Sequence, residues 1–143
     1  MSLLSPYIIA ILGAWIMAQG AKYFISVVRT RSFSNVRQLY LSGDMPSAHS
    51  ATTVALATVI GMRIGFDSAT FAIATLFAGI VMYDALMVRR STGEQGAAIR
   101  LLIKERKSAV RLPRAAKGHE PLEVVVGALV GVFVGAVVYF VTL

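Results

Sequence analysis

The chain has 143 residues, of which 57% are hydrophobic and 15% charged. That is too apolar for an ordinary water-soluble domain and excludes disorder. The absence of cysteine excludes a disulfide framework and a thiolate metal site. A net charge of +7 on such a chain points to a membrane protein with basic loops rather than to a nucleic-acid binder.

Crossing the hydrocarbon core as a helix takes about 20 apolar residues. Four stretches approach that length, and together they predict a single integral-membrane domain over residues 1–143. The first, Tyr7 to Val28, is interrupted by Gln19 and Lys22. It lacks the basic start and small-residue cleavage site of a secretory signal, so it is read as a span. Pro46 to Met62 carries His49 as its one ionisable group and is rich in Thr and Ala. Ser68 to Val88 is apolar up to Asp84, and Leu122 to Leu143 carries Glu123 near its start. None of them alternates with period two, so all four are expected to be helices.

Of the 14 basic residues, 12 fall in two segments, Arg29 to Met45 and Arg89 to Glu120. Four spans put these segments on one side. The positive-inside rule makes that side cytoplasmic and both termini external, in a bacterial inner membrane. Within the longer loop, Gly93 to Ser108 predicts an amphipathic helix at the interface, with Ile99, Leu102 and Ile103 apolar and Arg100, Lys104 and Lys107 facing headgroups. The expected fold is therefore all-α, a bundle of about four transmembrane helices with an interfacial amphipathic helix. So narrow a bundle is compatible with a homodimer.

Ionisable groups within spans are costly and mark candidate sites. Lys22 lies near the end of span one and His49 near the start of span two. Asp84 lies near the end of span three, and His119 and Glu123 at the start of span four. In an up-down bundle all five reach the face that bears the basic loops. Gln19, Lys22, Ser26 and Arg29 follow helical spacing as one polar stripe; the competing reading for Lys22 is snorkelling to the interface. Gly127, Gly131 and Gly135 continue the His119–Glu123 stripe every four residues and are expected to form a packing seam.

Pro46 and Pro121 each suit the first turn of a helix, with Asp44 as the expected cap before Pro46. Two helix N-termini beside Lys22 and Arg29 make a pocket for a multiply charged anion such as phosphate or pyrophosphate. Two histidines in that pocket suggest nucleophilic attack on phosphorus with protonation of the leaving oxygen. Glu123 lies one turn beyond His119 and suits the task of orienting it as the nucleophile, which leaves His49 as the acid. Asp84 is expected to pair with an arginine such as Arg89 and to act from behind the site.

Gly43-Asp44-Met45-Pro46-Ser47-Ala48-His49-Ser50 resembles the P-S-G-H motif of type-2 phosphatidic acid phosphatases, relatives of bacterial acid phosphatases and vanadium-dependent haloperoxidases. Lys22 and Arg29 match the K-x6-R spacing of that superfamily, with Thr30 where proline stands. His119 and Glu123 match its H-x3-D with a longer acid. Pro113 stands where the third motif has arginine. Met82-Tyr83-Asp84-Ala85, Val88-Arg89-Arg90 and Gly118-His119-Glu120-Pro121-Leu122-Glu123 are similar to the small divergent branch of the superfamily.

The resemblance implies cofactor-free, metal-independent hydrolysis of a phosphate or diphosphate monoester of a lipid, an isoprenoid diphosphate or a phosphatidyl phosphate. His119 would form a phosphohistidine, oriented by Glu123, with His49 as acid. Lys22, Arg29 and Ser47 would bind phosphate oxygens, and Arg89, Arg90 or Arg114 would complete the clamp. Two other readings compete: a non-catalytic membrane protein that binds or transports phosphorylated lipids, and a metal site using Asp44, Asp84 and Glu120.

Overall fold

A computed structural model describes residues 5–31, 45–107, 109–113 and 118–143. Its elements in chain order are α1 (Pro6–Thr30), α2 (Ala48–Ile64), α3 (Ala69–Tyr83), a π-turn (Asp84–Val88), α4 (Arg89–Glu105) and α5 (Pro121–Val141). There is no strand among the described residues. The all-α reading of the sequence holds.

Large apolar side chains face outward and small ones inward. Trp15, Ile16 and Phe24 on α1, Ile73, Leu76 and Phe77 on α3, and Leu129, Phe133 and Phe140 on α5 are all exposed. The buried core is built from Ala10, Ala14, Ala18, Ala51, Ala55, Val59, Val134 and Val138. Water would demand the reverse, whereas lipid tails solvate the outer Leu and Phe and leave small residues to bring backbones together. Among the described residues, three helices are long and apolar enough to cross a membrane: α1, the continuous helix Ala69–Glu105, and α5.

The fourth expected span, α2, has 17 residues and sits in the middle of the bundle, packed on α1, α3 and α5. A helix enclosed by three others needs little lipid-facing apolar surface, which explains its Thr and Ala. Against α5 the approach is backbone to backbone. A Cβ on Gly131 would lie 2.5 Å from the Ala51 carbonyl oxygen, and one on Gly135 would lie 2.8 Å from that of Ala55. At Gly127 the clash would be with the Ser47 carbonyl. The expected packing seam is therefore α5 on α2. At the far end Arg63 donates to the carbonyl and hydroxyl oxygens of Thr142, joining the ends of the two helices.

The α2–α3 connection is short, running only from Gly65 to Ser68. Gly65 takes a φ of 110°, a conformation open to glycine, and Ser68 caps α3 through the Phe71 N–H at 3.2 Å.

The interfacial helix is corrected. It runs over Arg89–Glu105 rather than 93–108 and continues α3 without a break. No proline or side-chain cap interrupts the chain there, so the backbone ladder carries on through the π-turn. The segment 69–88 is about 30 Å long at 1.5 Å per residue, one hydrocarbon thickness, so α4 begins at the headgroup level.

Candidate active site

The start of α5 is built by a reciprocal cap. The Glu120 side chain accepts the backbone N–H of Glu123, while Glu123 Oε2 accepts that of Glu120 at 3.2 Å. Pro121 occupies the first turn, as expected. This cap also fixes the Glu123 carboxylate beside His119, whose Nδ1 lies 2.7 Å from Glu123 Oε2. Both residues are buried, His119 to 3% exposure and Glu123 to 8%. An ionised carboxylate can only accept, so Nδ1 is the donor in this contact, and in the neutral ring Nε2 is the nitrogen with a free lone pair.

The loop before α5 is docked on the π-turn. His119 N–H donates to the Ala85 carbonyl at 3.2 Å. Gly118 lies so close that a Cβ there would sit 2.5 Å from Arg90 Cα. The start of α2 is tied to the same place, because Ser47 N–H donates to the Glu123 carbonyl at 2.9 Å.

Ser47 is the N-cap of α2 and helix begins at Ala48. This corrects the expectation for Pro46, which precedes the cap instead of opening the first turn; Asp44 lies outside the described residues. The Ser47 hydroxyl accepts from Ser50 N–H at 3.4 Å and from the Ser50 hydroxyl at 3.0 Å. Both serines are fully buried. The sequence reading missed Ser50, although a serine three residues past the cap was visible in Ser47-Ala48-His49-Ser50.

On α1 the buried stripe is Ala10, Ala14, Ala18, Lys22 and Ser26, a strict four-residue repeat. Lys22 is 8% exposed and so points into the bundle, which overturns the snorkelling alternative. Ser26 is buried too, and its hydroxyl has no hydrogen-bond partner among the described residues. Arg29, in the last turn, is exposed, and Gln19 is half-buried. The expected polar stripe is thus divided by burial, with Lys22 and Ser26 inside.

His49 stands exposed in the first turn of α2. The titratable and charged groups that bear on it are Arg89, His119, Lys22 and Asp84. Four elements thus converge: α1 through Lys22, α2 through His49, the π-turn and start of α4 through Asp84 and Arg89, and the α5 approach through His119. Asp84 pairs with Arg89 as expected, Oδ2 to Nε at 2.7 Å. Arg90 instead pairs with Glu94 at 3.2 Å, both well exposed. Arg114 lies outside the described residues. Glu120 is exposed as the cap of α5.

A family model described as the divergent PAP2 family matches residues 4–134. The uncharacterized membrane protein YuiD of Bacillus subtilis (strain 168) is 34% identical over 156 aligned positions, covering 98% of each chain. No solved structure matches significantly. A family match over nearly the whole length, together with a multi-helical membrane architecture, gives one conclusion: the chain belongs to the divergent PAP2 family.

Proposed function

We propose that the protein is an integral-membrane lipid phosphatase that works through a phosphohistidine at His119. The observation that carries this reading is the buried 2.7 Å contact between His119 Nδ1 and Glu123, within electrostatic reach of a second histidine. His119 Nε2 attacks the terminal phosphorus of a phosphate or diphosphate monoester. The P–O bond to the leaving group breaks, and protonated His49 delivers a proton to the departing oxygen. Water then attacks the phosphohistidine, with His49 accepting its proton, and inorganic phosphate and a free His119 result.

Lys22 supplies a cation to the phosphate oxygens and Arg29 a second one from the mouth of the site. The Ser47 hydroxyl already accepts from Ser50, so its own O–H is the part that donates to phosphate. The first-turn amides of Ala48 and His49 precede the hydrogen-bond ladder of α2 and add the positive end of a helix. Fixed donors of this kind stabilise charge that develops on the transferring phosphoryl group. The basic loops favour a cytoplasmic site in a bacterial inner membrane, and the lipid-facing exterior favours an isoprenoid diphosphate or phosphatidyl phosphate as substrate.

The test is phosphate release by purified protein in detergent with chelator present, on a panel of both lipid classes. Turnover by the wild type that is lost in His119→Ala is the expected result. Absence of turnover on every substrate, from protein shown to be folded, would replace this reading with binding or transport of phosphorylated lipids.

A further inference from the structure

We propose that the protein holds one phospholipid of the ethanolamine kind, a phosphate followed by a primary ammonium, between α5 and the continuous helix Ala69–Glu105. This site is separate from the histidine pocket and does not depend on the hydrolase reading.

Two cavities lie along that helix. The lower one, about 620 Å³, is a groove over α2 with Thr75, Gly79 and Met82 on one wall and Val132 and Ala136 of α5 on the other. No charged residue lines it. The upper one, about 420 Å³, is lined by Leu86, Met87, Arg90, Ser91, Glu94 and Pro121. Thr75, Gly79, Met82, Leu86, Arg90 and Glu94 follow one another at steps of three or four residues. Both cavities therefore open on one side of a single helix.

The groove is a place where small residues meet no helix. On the seam between α2 and α5, a Cβ added to Gly127, Gly131 or Gly135 would strike the facing backbone, whereas one on Gly79 would meet nothing within 4 Å. At hydrocarbon depth a slot with no polar lining is filled by an apolar chain, because water would find no partners there. Arg90 lies eleven residues above Gly79, about 16 Å at 1.5 Å per residue, which is close to half of a ~30 Å hydrocarbon core. A lipid of one leaflet with its headgroup at Arg90 thus ends its chain at Gly79.

The mouth decides which lipid fits. Arg90 Nε and Glu94 Oε1 are 3.2 Å apart, with 61% and 70% of the side chains exposed. So exposed a pair is worth little by itself and re-forms easily around a ligand. The Ser91 hydroxyl accepts from Gln95 Nε2 at 3.2 Å, which leaves its O–H to donate. Guanidinium and hydroxyl together suit a phosphate, and the carboxylate one turn further suits an ammonium. A lipid with phosphate alone would set a like charge against Glu94, and a quaternary ammonium has no N–H to donate. The candidate catalytic groups stand elsewhere: His119 and Glu123 are buried, and neither they nor His49 and Lys22 line either cavity.

The experiment is native mass spectrometry of the full-length protein in detergent, titrated in turn with dioleoyl phosphatidylethanolamine, phosphatidylglycerol and phosphatidylcholine. One equivalent of the ethanolamine lipid should bind, more tightly than the other two. Arg90→Ala should weaken it about fivefold, the worth of one cation at a lipid surface. Glu94→Gln should abolish the preference for ethanolamine over glycerol. Gly79→Leu, whose side chain enters the groove, should weaken all three lipids alike.

Equal binding of the three lipids by the wild type, or binding unchanged in Arg90→Ala or in Gly79→Leu, overturns the proposal. A dimer that Gly79→Leu converts to monomers with lipid binding unaffected also overturns it, because the groove would then hold a second copy of the chain.

Discussion

Gly131→Ala puts one methyl group into the tightest part of the bundle. The new Cβ would lie 2.5 Å from the Ala51 carbonyl oxygen, 2.8 Å from Val54 Cβ and 3.0 Å from Ala55 N. Two of those atoms are backbone and cannot rotate away. Ordinary contact is about 3.5 Å or more, so α5 and α2 must part by about 1 Å. A gap of that size forfeits a quarter to a half of the attraction between facing atoms, and overpacking of this kind costs about 1–3 kcal/mol. The separation would also stretch the Ser47–Glu123 backbone bond, 2.9 Å in the native bundle, and so loosen the site. The control is Gly79→Ala on α3, where an added Cβ meets nothing within 4 Å. Helix propensity there predicts no loss and a gain of up to about 1 kcal/mol. Unfolding of both variants by SDS in mixed micelles, followed by circular dichroism, measures the difference. Equal stability of the two would refute the claim that α5 packs on α2 through its glycine backbone.

Glu123→Gln keeps the shape of the side chain but removes the charge that His119 Nδ1 faces, and should lower turnover roughly tenfold to hundredfold with the fold intact. Near-wild-type turnover would remove Glu123 from the mechanism. Gly118→Ala drives a methyl group into the backbone at Arg90 and should displace His119 from the π-turn, lowering stability as well as turnover, with turnover reduced even under conditions where the variant is fully folded; an active variant would show that the docking is dispensable. The chain has no cysteine, so single cysteines at Arg37 and Lys107 can be labelled cleanly from either side of the membrane. Both are expected to react from the same side, and labelling from opposite sides would break the shared-face argument.

Much of the site was legible because it lies at helix ends, where sequence signals are strong. Pro121 followed by Glu123 marked the start of α5, and the four-residue spacing of His119 and Glu123 put their side chains one above the other. The Asp84–Arg89 pair was also foreseen, but its geometry was not. Nothing in Asp-Ala-Leu-Met-Val announces a π-turn, because the extra residue is set by what the helix docks against. The helix over 89–105 was legible as amphipathic, yet its continuity with α3 was not, since headgroup-facing and protruding helices share one pattern.

Composition and periodicity by themselves determined that this chain is a membrane bundle of helices, because the cost of burying backbone polar groups in lipid leaves few alternatives. They also determined which residue types meet at its basic face. The tertiary structure alone decided that α2 is the enclosed helix, that Lys22 turns inward, and that Arg89 and Arg90 part company. Those outcomes depend on which small residues from different helices let backbones touch, and that is a property of pairs of helices, not of any one of them.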